Sequence, residues 1–141
     1  MRNLGKWLPC VALAAISAYA TAAPADESSW VPITKNAEGT IHYSGRKGSY
    51  EVVQTKGGDS IAVIIGQTDN KQTKGIKFSK WYVKTDDCAA GFGQLVILKI
   101  NGDFDFDSDF VADGNSVASG VADFICDLYR EDQKARQARG I

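Results

Sequence analysis

One histidine, one methionine and three cysteines are spread over 141 residues. So little histidine excludes a multi-histidine metal centre, and three thiols fall short of an all-cysteine structural zinc site. Charge of one sign is missing as well. Lys and Arg total 16 and Asp and Glu 17, for a net charge of −1. With no basic excess to neutralise phosphates, nucleic acid is not an expected partner. Also missing are the G-x-S-x-G elbow and the P-loop spacing. No catalytic motif and no cofactor signature stands out, so the expectation is a protein that is not an enzyme and carries no cofactor or metal. What is present is ordinary: hydrophobic residues make up 44% and charged residues 23%, the balance of a single globular domain.

The first segment reads as an export signal. Arg2 and Lys6 precede an apolar run from Trp7 to Ala20, which ends in Ala20-Thr21-Ala22. A basic head, an apolar core and small residues at a cleavage point are the three parts of a secretory signal peptide. The run is shorter than the ~20 residues a permanent bilayer-spanning helix needs. Residues 1–22 are therefore expected to be removed after Ala22, with Ala20 as the alternative, leaving no integral membrane segment. Cys10 follows Pro9 and lies inside the apolar core, so it does not read as a lipid-anchor cysteine. The expected location is periplasmic or secreted. Two cysteines then remain, Cys88 and Cys126. In an oxidising compartment such a pair is expected to form one disulfide. The alternative, a reactive or metal-binding pair, lacks C-x-x-C spacing and a neighbouring histidine.

After a polar lead at 23–29, the domain is expected over 30–130, with 131–141 a charged, fraying helix end. Trp30-Val31-Pro32-Ile33 opens it. Runs rich in β-branched and aromatic residues follow at 40–44, 49–55, 60–67, 76–85, 94–100 and 104–111, separated by turn residues such as Gly57-Gly58, Asp69-Asn70, Asp86-Asp87 and Asn101-Gly102. The periodicity then changes. Val117, Val121, Phe124, Ile125 and Leu128 recur at helical spacing, with Ser116 placed to cap the first turn. Cys126 lies on the flank of this helix, within reach of a loop cysteine such as Cys88. The fold class expected is α+β, an antiparallel, curled sheet of about six strands packed against one C-terminal helix and stapled by one disulfide.

Two strands are apolar on both faces: Ile61, Val63 and Ile65 alternate with Ala62 and Ile64, and Leu95 and Ile97 with Val96 and Leu98. One helix shields one face of a sheet. The other face needs a curled sheet, the N-terminal segment or a second subunit. A protein partner is therefore expected, with a homodimer as one form of it. Adjacent Trp81 and Tyr82 must point to opposite sides of their strand, so one is core and the other a candidate protein contact.

Other conspicuous residues read as structural. In Asp103 to Phe110, strict alternation puts aspartates on one strand face and phenylalanines on a core face. The run lacks the Gly and Glu of a calcium loop, and a straight strand cannot wrap an ion. His42 reads as a polar strand residue, and Gly45-Arg46-Lys47-Gly48 as a hairpin turn.

The order of these features resembles the surface-adhesin protein E family of Gram-negative bacteria. The similar parts are Trp30-Val31-Pro32-Ile33, the tyrosine-bearing Ile41-His42-Tyr43-Ser44, the strand leading through Asp86-Asp87 to Cys88, and a closing helix with Ile125-Cys126-Asp127. The resemblance covers about residues 29–130 and implies an antiparallel sheet packed on the helix and bridged by Cys88–Cys126. It implies binding of host or envelope proteins. Members of that family are lipid-anchored and this chain shows no lipobox, which favours a soluble periplasmic role. The functional expectation is an exported, non-enzymatic binding protein of the envelope that contacts another protein. The alternative is a small periplasmic inhibitor or immunity protein that blocks an envelope-targeting enzyme.

Overall fold

Strand formation starts from the β-branched run in the middle of the chain. In the computed structural model, which describes residues 29–140, this run is the long strand β4 (Ser60–Asn70). Around it stand β1 (Trp30–Lys35), β2 (Ile41–Arg46), β3 (Glu51–Gln54), β5 (Gly75–Lys84), β6 (Phe92–Leu98) and β7 (Phe104–Val111). Two helices complete the chain: the one-turn α1 (Thr85–Ala90) and α2 (Val117–Ala138). The expected signal peptide, its cleavage point and the lead as far as residue 28 lie outside the described residues.

All strands pair antiparallel in one 7-stranded sheet of order β1-β2-β4-β5-β6-β7, with β3 on β4. Short connections make such a meander natural, because all strands but β3 lie beside the one before them. β1 and β7 are the two edges and do not pair with each other, so the sheet stays open.

The stretch at Gly45 to Gly48 is not a hairpin turn. β2 and β3 lie in line along the same edge of β4, pairing with its second and first halves. The chain loops out between them and returns. The gap would leave a β4 amide without a partner, and Ser49 fills it: its Oγ accepts from the Ile65 amide at 2.9 Å and donates to the Arg46 carbonyl at 2.7 Å.

Strict alternation also fails in β7. Ile97 faces Phe106 and Leu98 faces Phe104, which leaves Asp105 unpaired as a bulge. The extra residue reverses the side on which Phe104 lies. The expected phenylalanine-lined core therefore reduces to Phe110, 3% exposed, whereas Phe104 is 61% and Phe106 51% exposed. Asp86-Asp87, expected as a turn, forms the first turn of α1, where carboxylates suit the amide dipoles. Gly91 ends that helix at φ 84°, a conformation favouring glycine.

Ser116 caps α2 as expected, its side chain accepting from the Ser119 amide at 3.0 Å. The buried stripe of α2 is built largely of small residues: Ala118, Ser119, Val121 and Ala122, then Ile125 and Cys126. It packs against Ala62, Ile64, Val83 and Leu95 of the sheet. Gly120 allows the closest approach, because a Cβ there would sit 3.2 Å from Thr34 of β1. Cys88 and Cys126 are joined, with their Cα atoms 5.4 Å apart, and the bond ties α2 to α1. Arg130 adds a hydrogen bond of 3.4 Å to the Cys88 carbonyl. Beyond it the helix includes the charged stretch as far as Ala138, with ion pairs Lys134–Glu131 and Arg136–Asp132 on its surface.

Two measurements follow from this packing. The bridge closes a 38-residue separation, so Cys126→Ser is expected to lower unfolding stability by roughly 2–4 kcal/mol in denaturant titration, and the oxidised protein to yield no free thiol when denatured. Tyr50 packs beside the C-terminal half of α2, and its buried hydroxyl makes no well-formed hydrogen bond among the described residues, although the Asp132 carboxylate lies near it. Burial first, then the Asp132 carboxylate, pushes its phenol up to about 12 from the ordinary 10.0. The unfolded chain loses this proton at lower pH than the folded chain. Stability is thus fully present below about 10 and drains away as pH rises towards about 12. Equilibrium unfolding across this alkaline window is expected to show a shallower loss in Tyr50→Phe than in the unsubstituted protein.

Candidate functional site

The helix-covered face of the sheet is set by register. Gly66 on β4 stands opposite Ser79 on β5, Ile64 opposite Trp81 and Thr68 opposite Lys77. Trp81 in turn faces Ile97, and Leu95 faces Ser108. Gly66 has no side chain, and the Trp81 indole lies across its backbone; a Cβ at Gly66 would overlap the ring. Tyr43 of β2 leans against the same indole, centroids 6.3 Å apart and planes at 52°.

Helix α2 meets this face with its first two turns, and a cavity of about 330 Å³ remains between them. Trp81 floors it, Leu95, Ile97, Val117 and Val121 form apolar walls, and the exposed ring of Phe106 stands at the rim. Five of the lining residues carry an uncharged polar group: the hydroxyls of Tyr43, Thr68, Ser79 and Ser108 and the indole N–H of Trp81. None has a hydrogen-bond partner among the described residues. Ser79 and Trp81 are each only 3% exposed. Burial pushes the Tyr43 phenol up, which keeps it a neutral donor. The single charged lining side chain is Lys77, whose Nζ donates to Asp105 Oδ2 at 3.1 Å. The Asp105 bulge is what brings that carboxylate to the cavity side of the sheet.

The other sheet face carries the opposite rows. Ile65, Phe78, Lys80, Tyr82, Val96, Leu98 and Phe104 lie here by register, on the face away from the buried stripe of α2, and of these Phe78 and Phe104 are exposed and the rest half-buried. Trp30 gives partial cover. It reaches across β2 and β4 to stack on Phe78, ring centroids 5.5 Å apart. Ile76, Phe78 and Phe104 stay exposed. Of the two candidate contact residues, Tyr82 is on this outer face; Trp81 is buried on the other and is removed from the contact surface.

The remaining sequence candidates separate. Asp105 is held by Lys77, Asp109 accepts from Gln94 at 3.2 Å and Asp103 from Asn101 at 3.1 Å. His42 places Nε2 3.2 Å from the Gly39 carbonyl, in a shallow depression where Lys71 is paired with Asp69 at 2.7 Å. The cavity itself escaped sequence reading. Its one signal is a small hydroxyl residue on the inner face of adjacent, otherwise apolar strands (Thr68, Ser79 and Ser108).

No family model, curated protein or solved structure matches the chain.

Because the indole rests on the Gly66 backbone, Gly66→Ala must push Trp81 into the cavity. The expected cost is about 1–3 kcal/mol in denaturant unfolding, with a change in Trp81 fluorescence.

Proposed function

We propose that this chain is an exported, non-enzymatic binding protein of the bacterial envelope that docks another protein through its outer sheet face. The observation that carries the reading is the outer row of an open sheet, where Phe78 and Phe104 are exposed, with Trp30 stacked on Phe78, and Tyr82 and Leu98 are half-buried between them. An apolar face of this kind is uncommon on a monomer and marks a contact surface. Lys80 lies in the middle of it and makes no ion pair among the described residues. The partner surface that fits is therefore apolar with an acidic side chain opposite Lys80, since a desolvated ammonium must be matched. Export is supported by the basic head and apolar run before Ala22 and by the Cys88–Cys126 bond, which suits an oxidising compartment. A role like that of the surface-adhesin E proteins agrees with this surface.

Photo-crosslinking in living cells tests the reading. A photoreactive residue at position 78 is expected to trap a discrete protein adduct, and one at position 137 on the exposed end of α2 to trap none. Lys80→Glu is expected to abolish the adduct. An adduct of twice the chain's mass identifies the partner as a second copy. No adduct from position 78, or the same pattern from both positions, overturns the proposal.

A further inference from the structure

The cavity under α2 is independent of the outer face, and its lining is apolar with a few polar groups. We propose that it is a binding site for a small monocarboxylate with an apolar body, of the size and kind of a short-chain fatty acid or an aryl-acetic acid.

The first argument is size and lining. About 330 Å³ is at the small end of the ~300–1,000 Å³ typical of ligand pockets, which are mostly apolar with a few placed polar groups. An indole floor and aliphatic walls accept a hydrocarbon chain or one aromatic ring.

The second argument is a census of donors and acceptors. The Trp81 N–H and the Lys77 ammonium only donate, and the hydroxyls of Tyr43, Ser79 and Ser108 can all donate as well. No carboxylate or amide side chain lines the space. The hydroxyls of Tyr43, Thr68, Ser79 and Ser108 can accept as well as donate, but the Trp81 N–H and the Lys77 ammonium can be met only by acceptors on the ligand. Ser79 and Trp81 are each largely buried as residues and make no side-chain hydrogen bond among the described residues, so their polar atoms are left for a ligand or for water.

The third argument is charge. Lys77 is the one charged side chain at the lining; its exposed ammonium is paired with Asp105 at 3.1 Å through one N–H and keeps two more that a ligand carboxylate at the cavity mouth can share. This single cation is too little for a phosphate dianion, which is commonly held by several cations or a nest of backbone amides. The apolar body of the ligand then lies on Trp81, and the exposed Phe106 ring closes over its outer end.

Nuclear magnetic resonance titration of the purified protein with octanoate and with phenylacetate tests the site. The matched alcohols, 1-octanol and 2-phenylethanol, serve as controls. The indole N–H resonance of Trp81 is expected to move saturably with either acid while that of Trp30, on the opposite face, stays still. Each acid is expected to bind about tenfold more tightly than its alcohol, the difference one charge-assisted contact supplies. Lys77→Gln is expected to erase that preference and leave the alcohols as they were. Ser108→Leu, which fills the cavity, is expected to abolish binding of both; its amide spectrum reports that the fold is kept. Three results overturn the proposal: no movement of the Trp81 resonance up to about 10 mM acid, equal affinity for acid and alcohol, or a shift confined to Trp30.

Discussion

A single helix has to cover a sheet six strands across, and the two do not match in width. Strands lie ~4.8 Å apart, so the sheet spans roughly 24 Å, whereas a helix with its side chains is ~10–12 Å thick. The solution is uneven contact. Where α2 carries Gly120 and Ala122 it sinks against Thr34 and the core, and there the packing closes. On the side of Lys77 and Phe106 the sheet outruns the helix and the cavity is left. The Cys88–Cys126 bond fixes this compromise, because it sets where along the sheet the helix crosses.

Much of this was readable from residue order. The seven strands follow the β-branched runs, the helix follows the spacing of Val117, Val121 and Ile125, and Ser116 caps it where a serine should. These are local properties, decided within one turn or one strand. What could not be read depends on register between strands distant in sequence. The bulge at Asp105 exists only relative to Leu98 and Ile97 of β6, and it puts Phe104 on the outer face. The collinear β2 and β3 exist only relative to β4, and Ser49 shows its role only when Ile65 is beside it. In the same way Gly66 and Trp81 are unremarkable apart; brought to neighbouring strands, one becomes the seat of the other.

The two surfaces have opposite characters although they share strands. β5 contributes Lys77, Ser79 and Trp81 to one side and Phe78, Lys80 and Tyr82 to the other. Strand alternation alone divides an enclosed, donor-rich space from an open apolar face. A substitution on one side therefore leaves the side chains of the other chemically intact.

The Asp105 bulge has a consequence beyond its neighbours. An open sheet with an apolar face is the usual starting material for stacking into fibres, because a straight edge strand offers its amides and carbonyls to the next molecule. On β7 that edge is kinked by the extra residue, carries Asp107 and Asp109 along it, and turns a paired carboxylate inward at Asp105. A second chain cannot lay a regular strand against it. The protein thus keeps an apolar face open while its β7 edge resists strand-by-strand growth.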